Sequence, residues 1–283
     1  MYSTIKIRSF SFISLAIVLI FSSYGYCEVD AKVSSLDDKI LVTIDGGSAT
    51  KKSPISRALA KKFNLVYIET GALYRTIAYV LVQAGIMPEP KNENKIDEFL
   101  ENARCEYLLE DRKVKFSING VCLTAKELRT GDINVSVAKY SSLFESISDF
   151  CIKCIQEIMD LKEVQKFNGI VAEGRTCGSY IFPKADVKFW LVATDSAKMN
   201  FRLNVEKEID NPIERDKLDF SRAFYPVVKP KYAVEVWTSS RSMEENIALI
   251  SAFVEQKLDV KKHSKLQKSK IISPQHRQNP PSI

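Results

Sequence analysis

The chain has 283 residues, 45% of them hydrophobic, which is enough for one large domain carrying an insertion or for two small ones. Its net charge of +6 comes from the ends (Lys6 and Arg8 in front, six Lys/Arg from residue 259 on), and the near-neutral middle argues against an extended nucleic-acid surface. Both histidines, His263 and His276, fall in the tail, which excludes a Ser-His-Asp triad and imidazole metal ligation from the folded part.

Residues 1–27 read as an export signal. Lys6 and Arg8 precede an uncharged, mainly apolar run from Phe10 to Phe21 that is too short for a comfortable membrane span. An uncleaved anchor and a misassigned start are competing readings. Residues 28–39 form a polar linker. Ile40, Leu41, Val42 and Ile44 then suit a strand buried on both faces, and the strand runs into Gly46, Gly47, a hydroxyl-rich turn, Lys51, Lys52, Ser53 and Pro54.

Pro54 suits the first residue of a helix, where its missing N–H would have no partner, and Ile55, Ala58, Leu59 and Phe63 follow at helical spacing. A strand, a glycine turn and a helix N-terminus with a lysine in the turn make a phosphate cradle, with backbone N–H groups and Lys52 facing the anion. Against G-x-x-x-x-G-K-[ST], Lys51 stands where the second glycine belongs. The positive φ expected there costs a non-glycine residue roughly 1–2 kcal/mol. The competing reading is a strand–turn–helix whose lysines are merely solvated.

Residues 65–68 read as a second strand and 71–84 as a helix. Glu69, Thr70 and Gly71 sit at the strand's carboxyl end, where open α/β sheets bind ligands, and Tyr74 and Arg75 on the first helical turns can reach that crevice, although taken alone they would read as a core residue and a surface charge. After a polar connector, residues 105–109, 114–118 and 121–123 read as short strands, with Asn119-Gly120 as a hairpin signal. This antiparallel insert interrupts an alternating α/β pattern and ends at Arg129. Residues 135–159 read as a long helical region. Its Cys151-x-x-Cys154 has no second pair nearby and points to buried thiols rather than zinc.

Residues 170–172 lead into Glu173-Gly174-Arg175. A carboxylate at a strand tip beside a phosphate loop suits Mg²⁺, and Arg175 offers a planar fork for phosphate. A strand at 187–192 precedes a helix at 196–208 with Lys198 and Arg202 on one face. Arg215, Asp219 and Arg222 share another helical face, which alone would read as surface ion pairs. A strand at 233–237 and an amphipathic helix at 242–258, capped by Ser242 and Glu245, close the domain. Residues 259–283 read as a basic disordered tail.

Taken together and in order, IDGGSATKKSP, ETGALYR, ELRT, EGRTCGSYIFPKADVKFWL and RDKLDFSR resemble the cytidylate kinases, the CMP/dCMP kinase family of P-loop nucleoside monophosphate kinases. The resemblance covers residues 40–258, with the insert at about 95–132. It implies a P-loop NTPase fold, a three-layer α/β/α arrangement with a parallel central sheet and a small antiparallel NMP-binding insertion. The implied activity is transfer of the γ-phosphoryl group of ATP to CMP or dCMP with Mg²⁺, by a monomer.

The resemblance also implies residue roles. Gly46, Gly47, Ser48, Ala49, Thr50, Lys51, Lys52 and Ser53 would surround the donor phosphates, with Lys52 bridging the β- and γ-phosphates. Ser53 and Glu173 would hold Mg²⁺, and Arg175, Lys198 and Arg202 would neutralise developing charge. Glu69, Thr70, Tyr74, Arg75, Arg129, Arg175, Arg215, Asp219 and Arg222 would seat the acceptor.

This sequence departs from the family pattern at Lys51, at Pro54 (for a hydroxyl), at Glu69 and Glu173 (for aspartates) and at Phe201 (for an arginine). Thr176 replaces an aspartate that helps read cytosine. Two readings follow. One is an active, divergent kinase, and the other is a catalytically impaired, exported nucleotide-binding protein. The leader points to export or an N-terminal anchor, and the alternative that the resemblance implies is the cytoplasm.

Overall fold

The computed structural model describes residues 39–129, 131–206 and 211–272, so the expected leader at 1–27 lies outside the described residues. Among these, β1 (Ile40–Gly46), β2 (Val66–Glu69), β3 (Cys105–Glu110), β4 (Lys113–Ile118), β5 (Gly169–Gly174), β6 (Val187–Val192) and β7 (Val234–Trp237) form one sheet. The order is β3-β4-β2-β5-β1-β6-β7, and the described pairings are parallel except β3 with β4. The helices are α1 (Lys52–Phe63), α2 (Thr70–Gln83), α3 (Glu93–Asn102), α4 (Gly131–Leu143), α5 (Glu145–Glu157), α6 (Asp195–Asn200), α7 (Pro212–Phe220) and α8 (Met243–Ile272).

Successive side chains on a strand point to opposite faces, so a sheet covered on both sides needs apolar residues at every position. Val66, Ile68, Ile170 and Ala172 pack towards Leu73 and Ile77 of α2, Tyr140 of α4 and Ile155 of α5. Ile40, Val42, Ile44, Tyr67 and Val171 pack the other way, with Ile55 and Leu59 of α1 and Ile250 and Val254 of α8. The result is the expected three-layer α/β/α fold.

The insert is not a separate sheet. β4 joins the edge of β2 in parallel, with Tyr67 opposite Lys113 and the Tyr67 N–H donating to Arg112 O at 2.7 Å. Its hairpin turns at Asp111-Arg112, both left-handed at φ 40 and 68, the twist that suits a two-residue hairpin. The Asn119-Gly120 signal also makes a turn, but only one bridge follows (Ile118 to Val121) and residues 121–123 form no strand. The Asn119 side chain and N–H are bonded to Arg104 instead, which holds this turn against the start of β3.

Two further expectations are corrected. The long helical region is two helices, α4 and α5, divided at Phe144, whose backbone is extended (φ −129, ψ 114) while its ring is buried near Tyr140. α8 keeps its Ser242/Glu245 capping box and continues to Ile272, into the segment read as a disordered tail. Lys261 bonds to Asp186 at 2.7 Å and to Lys39 O at 2.6 Å, which keeps the helix docked beyond residue 258. No helix among the described residues is long and apolar enough to cross a membrane.

Candidate active site

The parallel register brings three carboxylates to one level at the carboxyl ends of the central strands. Glu173 lies opposite both Ile44 and Glu69, and Asp45 lies opposite Gly174. Asp45 is fully buried and accepts the N–H groups of Cys177 and Gly178, both at 2.7 Å. Burial nonetheless pushes its carboxyl up to about 6.

The loop from β1 to α1 takes the glycine-type conformation without the glycine. Lys51 has φ 65 and ψ 20, and Ala49 has φ 53. Lys51 Nζ donates to Thr238 O at 2.8 Å and to Arg241 O at 3.4 Å, so this side chain turns away from the cradle towards the start of α8. α1 begins at Lys52, earlier than expected, and Pro54 still lies in the first turn, where a missing N–H has no intrahelical partner. Lys52 Nζ folds back on Gly47 O at 2.5 Å.

Ser53 Oγ donates to Glu173 Oε1 at 2.6 Å, and the Tyr67 hydroxyl donates to the same oxygen at 3.0 Å. Thr70 Oγ1 donates to the Glu173 carbonyl at 3.0 Å. A Cβ on Gly174 would fall 2.2 Å from Thr70 Oγ1, so only glycine fits between them. A carboxylate and a hydroxyl side by side are hard oxygen donors. They fit Mg²⁺, whose remaining positions go to water and phosphate oxygens. On the insert side, Lys113 Nζ pairs with Glu69 Oε2 at 2.8 Å.

The second half of the site is an ionic cluster built on α7. Arg175 reaches Asp216 Oδ1 at 2.7 Å, Asp219 Oδ2 at 3.0 Å and Ser48 Oγ at 2.6 Å. Asp216 also accepts the Ser48 N–H at 2.6 Å and Lys198 Nζ at 3.0 Å. Asp219 has no exposed surface and is ringed by Arg175, Arg215 and Arg222. Burial pushes the Asp219 carboxyl up, but the three guanidiniums prevail and hold it at about 2. Burial also brings Arg215 down to about 10, because the like charges of Arg75, Arg175 and Arg222 add to burial and outweigh Asp219.

One cavity of about 110 Å³ joins the two halves. Ser48, Ala49, Lys52, Ser53 and Glu173 line one side, with Arg202 from the π-helical turn after α6. Glu69, Thr70, Tyr74, Arg75, Arg175, Thr176, Arg215 and Arg222 line the rest, with Val137 and Ser141 of α4. Arg75 folds back over Gly71, which leaves room for its guanidinium.

The remaining expected residues lie elsewhere. Gly46, Gly47 and Thr50 stand behind the lining, Lys198 is held by Asp216, and Asp219 lies beneath the arginines, orienting them rather than facing the cavity. Arg129 ends a short 3-10 turn, and its side chain lies outside the described ones. Sequence reasoning missed Tyr67, Lys113 and Asp216. Of these, only Asp216 left a signal, standing three residues from Asp219 and so on nearly the same helical face.

The sequence model of the family described as Cytidylate kinase matches residues 42–256, from β1 well into α8. The chain belongs to the cytidylate kinase family. Among its relatives, the cytidylate kinase of Clostridioides difficile is 30% identical over 220 residues, covering 73% of this chain and 94% of that protein. The cytidylate kinase of Bacillus subtilis is 30% identical over 232 residues, covering 78% of this chain and 99% of that one. A solved structure from Thermus thermophilus overlays 77% of this chain and 97% of its own at 13% identity, with a TM-score of 0.38. The cytidylate kinase match encloses every residue lining the cavity, and the members of this family are phosphotransferases.

Proposed function

We propose that the protein is a nucleoside monophosphate kinase that transfers the γ-phosphoryl group of ATP to CMP or dCMP. The observation that carries this reading is the single cavity in which Lys52, Ser53 and Glu173 meet Arg75, Arg175, Arg215 and Arg222. Phosphoryl transfer passes through a loose transition state and asks the protein mainly for alignment and charge neutralisation. Lys52 and the loop N–H groups take the donor phosphates. Ser53 and Glu173 hold Mg²⁺, which screens the donor charge when bound. Arg175, Lys198 and Arg202 meet the charge that develops on the transferred group. Arg75 and Arg222, with Arg129, grip the acceptor phosphate, and Asp219 keeps the guanidiniums aimed.

Thr176, buried in the cavity wall, offers a hydroxyl where the family's aspartate would read the base. A hydroxyl both donates and accepts, so it separates cytosine from uracil less sharply than a carboxylate. Donor chemistry ties the activity to a compartment holding ATP and Mg²⁺, which favours the cytoplasmic expectation over export. A coupled assay of ADP release with CMP, dCMP, UMP and AMP tests the proposal. CMP and dCMP should stimulate release most, with UMP a closer competitor than a carboxylate at position 176 would allow. CMP that binds without stimulating release would instead favour a non-catalytic nucleotide binder.

A further inference from the structure

We propose that the Asp216 carboxylate is an internal stand-in for a donor phosphoryl group, exchanged for the nucleotide's own phosphate when it binds. This inference rests on the donor-site reading above. Three groups of the kind that hold phosphate converge on this one side chain from three separate elements. They are the Ser48 N–H of the loop at 2.6 Å, Arg175 beyond β5 at 2.7 Å and Lys198 of α6 at 3.0 Å. Backbone N–H, guanidinium and ammonium around one oxyanion is the chemistry of a phosphate cradle.

Gly47 makes the same point sterically. A Cβ there would fall 2.5 Å from Asp216 Oδ2, so the carboxylate uses the close approach that a loop glycine otherwise gives to a phosphate oxygen. The side chain is 5% exposed, and the cavity beside it, about 110 Å³, is well below the size of a usual small-molecule site. A phosphate and a carboxylate cannot share these donors, because two adjacent like charges repel. Nucleotide entry therefore turns Asp216 out and hands Arg175 and Lys198 to the phosphate.

The exchange is felt at the acceptor side. Asp219, one turn further along α7, pairs with Arg175, Arg215 and Arg222. A shift of α7 that frees Asp216 moves the anchor of these guanidiniums too. Asp216 is thus a positioning residue. It keeps the cationic groups gathered around an anion before the donor arrives, and it links donor entry to the aim of the acceptor arginines.

The test uses the full chain and inorganic tripolyphosphate, with binding measured by calorimetry for the wild type and for Asp216→Asn. The like-charge argument predicts that Asp216→Asn binds tripolyphosphate roughly tenfold more tightly. A merely structural aspartate would make the variant less stable and no tighter. A folded Asp216→Asn that binds equally or more weakly overturns the inference. Hydrogen exchange on the wild type decides the matter without a variant. Tripolyphosphate should protect residues 46–52 and speed exchange across 212–220, and unchanged or slower exchange across 212–220 overturns it. If tripolyphosphate binds neither protein, the donor-site reading falls and this inference with it.

Discussion

Ser53 Oγ lies 2.6 Å from Glu173 Oε1, tying the first turn of α1 to the tip of β5. That contact places a hydroxyl beside a carboxylate one position before Pro54, which has none to offer. Ser53→Ala should therefore lower kcat by about 10–100-fold and raise the Mg²⁺ concentration needed for half-maximal rate, while Ser53→Thr should keep most of the activity. Metal titrations of the three proteins check this. An alanine variant with unchanged Mg²⁺ dependence would remove Ser53 from the metal site.

Lys51 holds a left-handed backbone with its amine anchored on Thr238 O and Arg241 O. Lys51→Ala loses the anchor and keeps the backbone cost. Lys51→Gly loses the anchor but relieves a cost of about 1 kcal/mol. The glycine variant should be more stable than the alanine variant by roughly that amount, read from urea midpoints. Equal midpoints would mean that the φ carries no strain.

Two buried carboxylates give opposite pH dependences. Asp219 sits at about 2 in the folded chain, below its ordinary 3.8, so the stability it adds is present above about pH 4 and lost as the pH falls towards 2. Asp45 is raised to about 6, so its contribution is full below pH 3.8 and lost as the pH rises through 6. Wild-type stability relative to Asp45→Asn should thus decline between pH 4 and 7, as measured by urea unfolding across that range. A flat difference would show that Asp45 ionises as it does in an unfolded chain.

Much of the fold was legible because the central strands are apolar at successive positions, as burial on both faces demands. Val66, Tyr67 and Ile68 illustrate this, dividing between the two helical layers. The break at Phe144 was not legible, since a phenylalanine there fits the helical period, and the extended backbone with its buried ring shows only in the fold. The insert was largely legible too: Asn119-Gly120 makes its left-handed turn with Ile118 paired to Val121, and only the strand expected after it is missing, while Asp111-Arg112 makes the turn that joins β3 to β4. At the site, the charge, spacing and order of the cavity residues could be read along the chain. The part played by Asp216 could not, because a solvated i, i+3 pair and a carboxylate lodged against Gly47 have the same sequence.

The central claim is that the donor loop and the arginine cluster serve adjacent phosphates in one crevice. Binding of an adenosine–cytidine oligophosphate, which joins both nucleotides through one phosphate chain, tests it most directly. The account predicts that this compound displaces ATP and CMP alike and binds on the order of 100-fold more tightly than either nucleotide alone, because the second half binds intramolecularly. A compound that competes with only one substrate, or binds no more tightly than a single nucleotide, would contradict it.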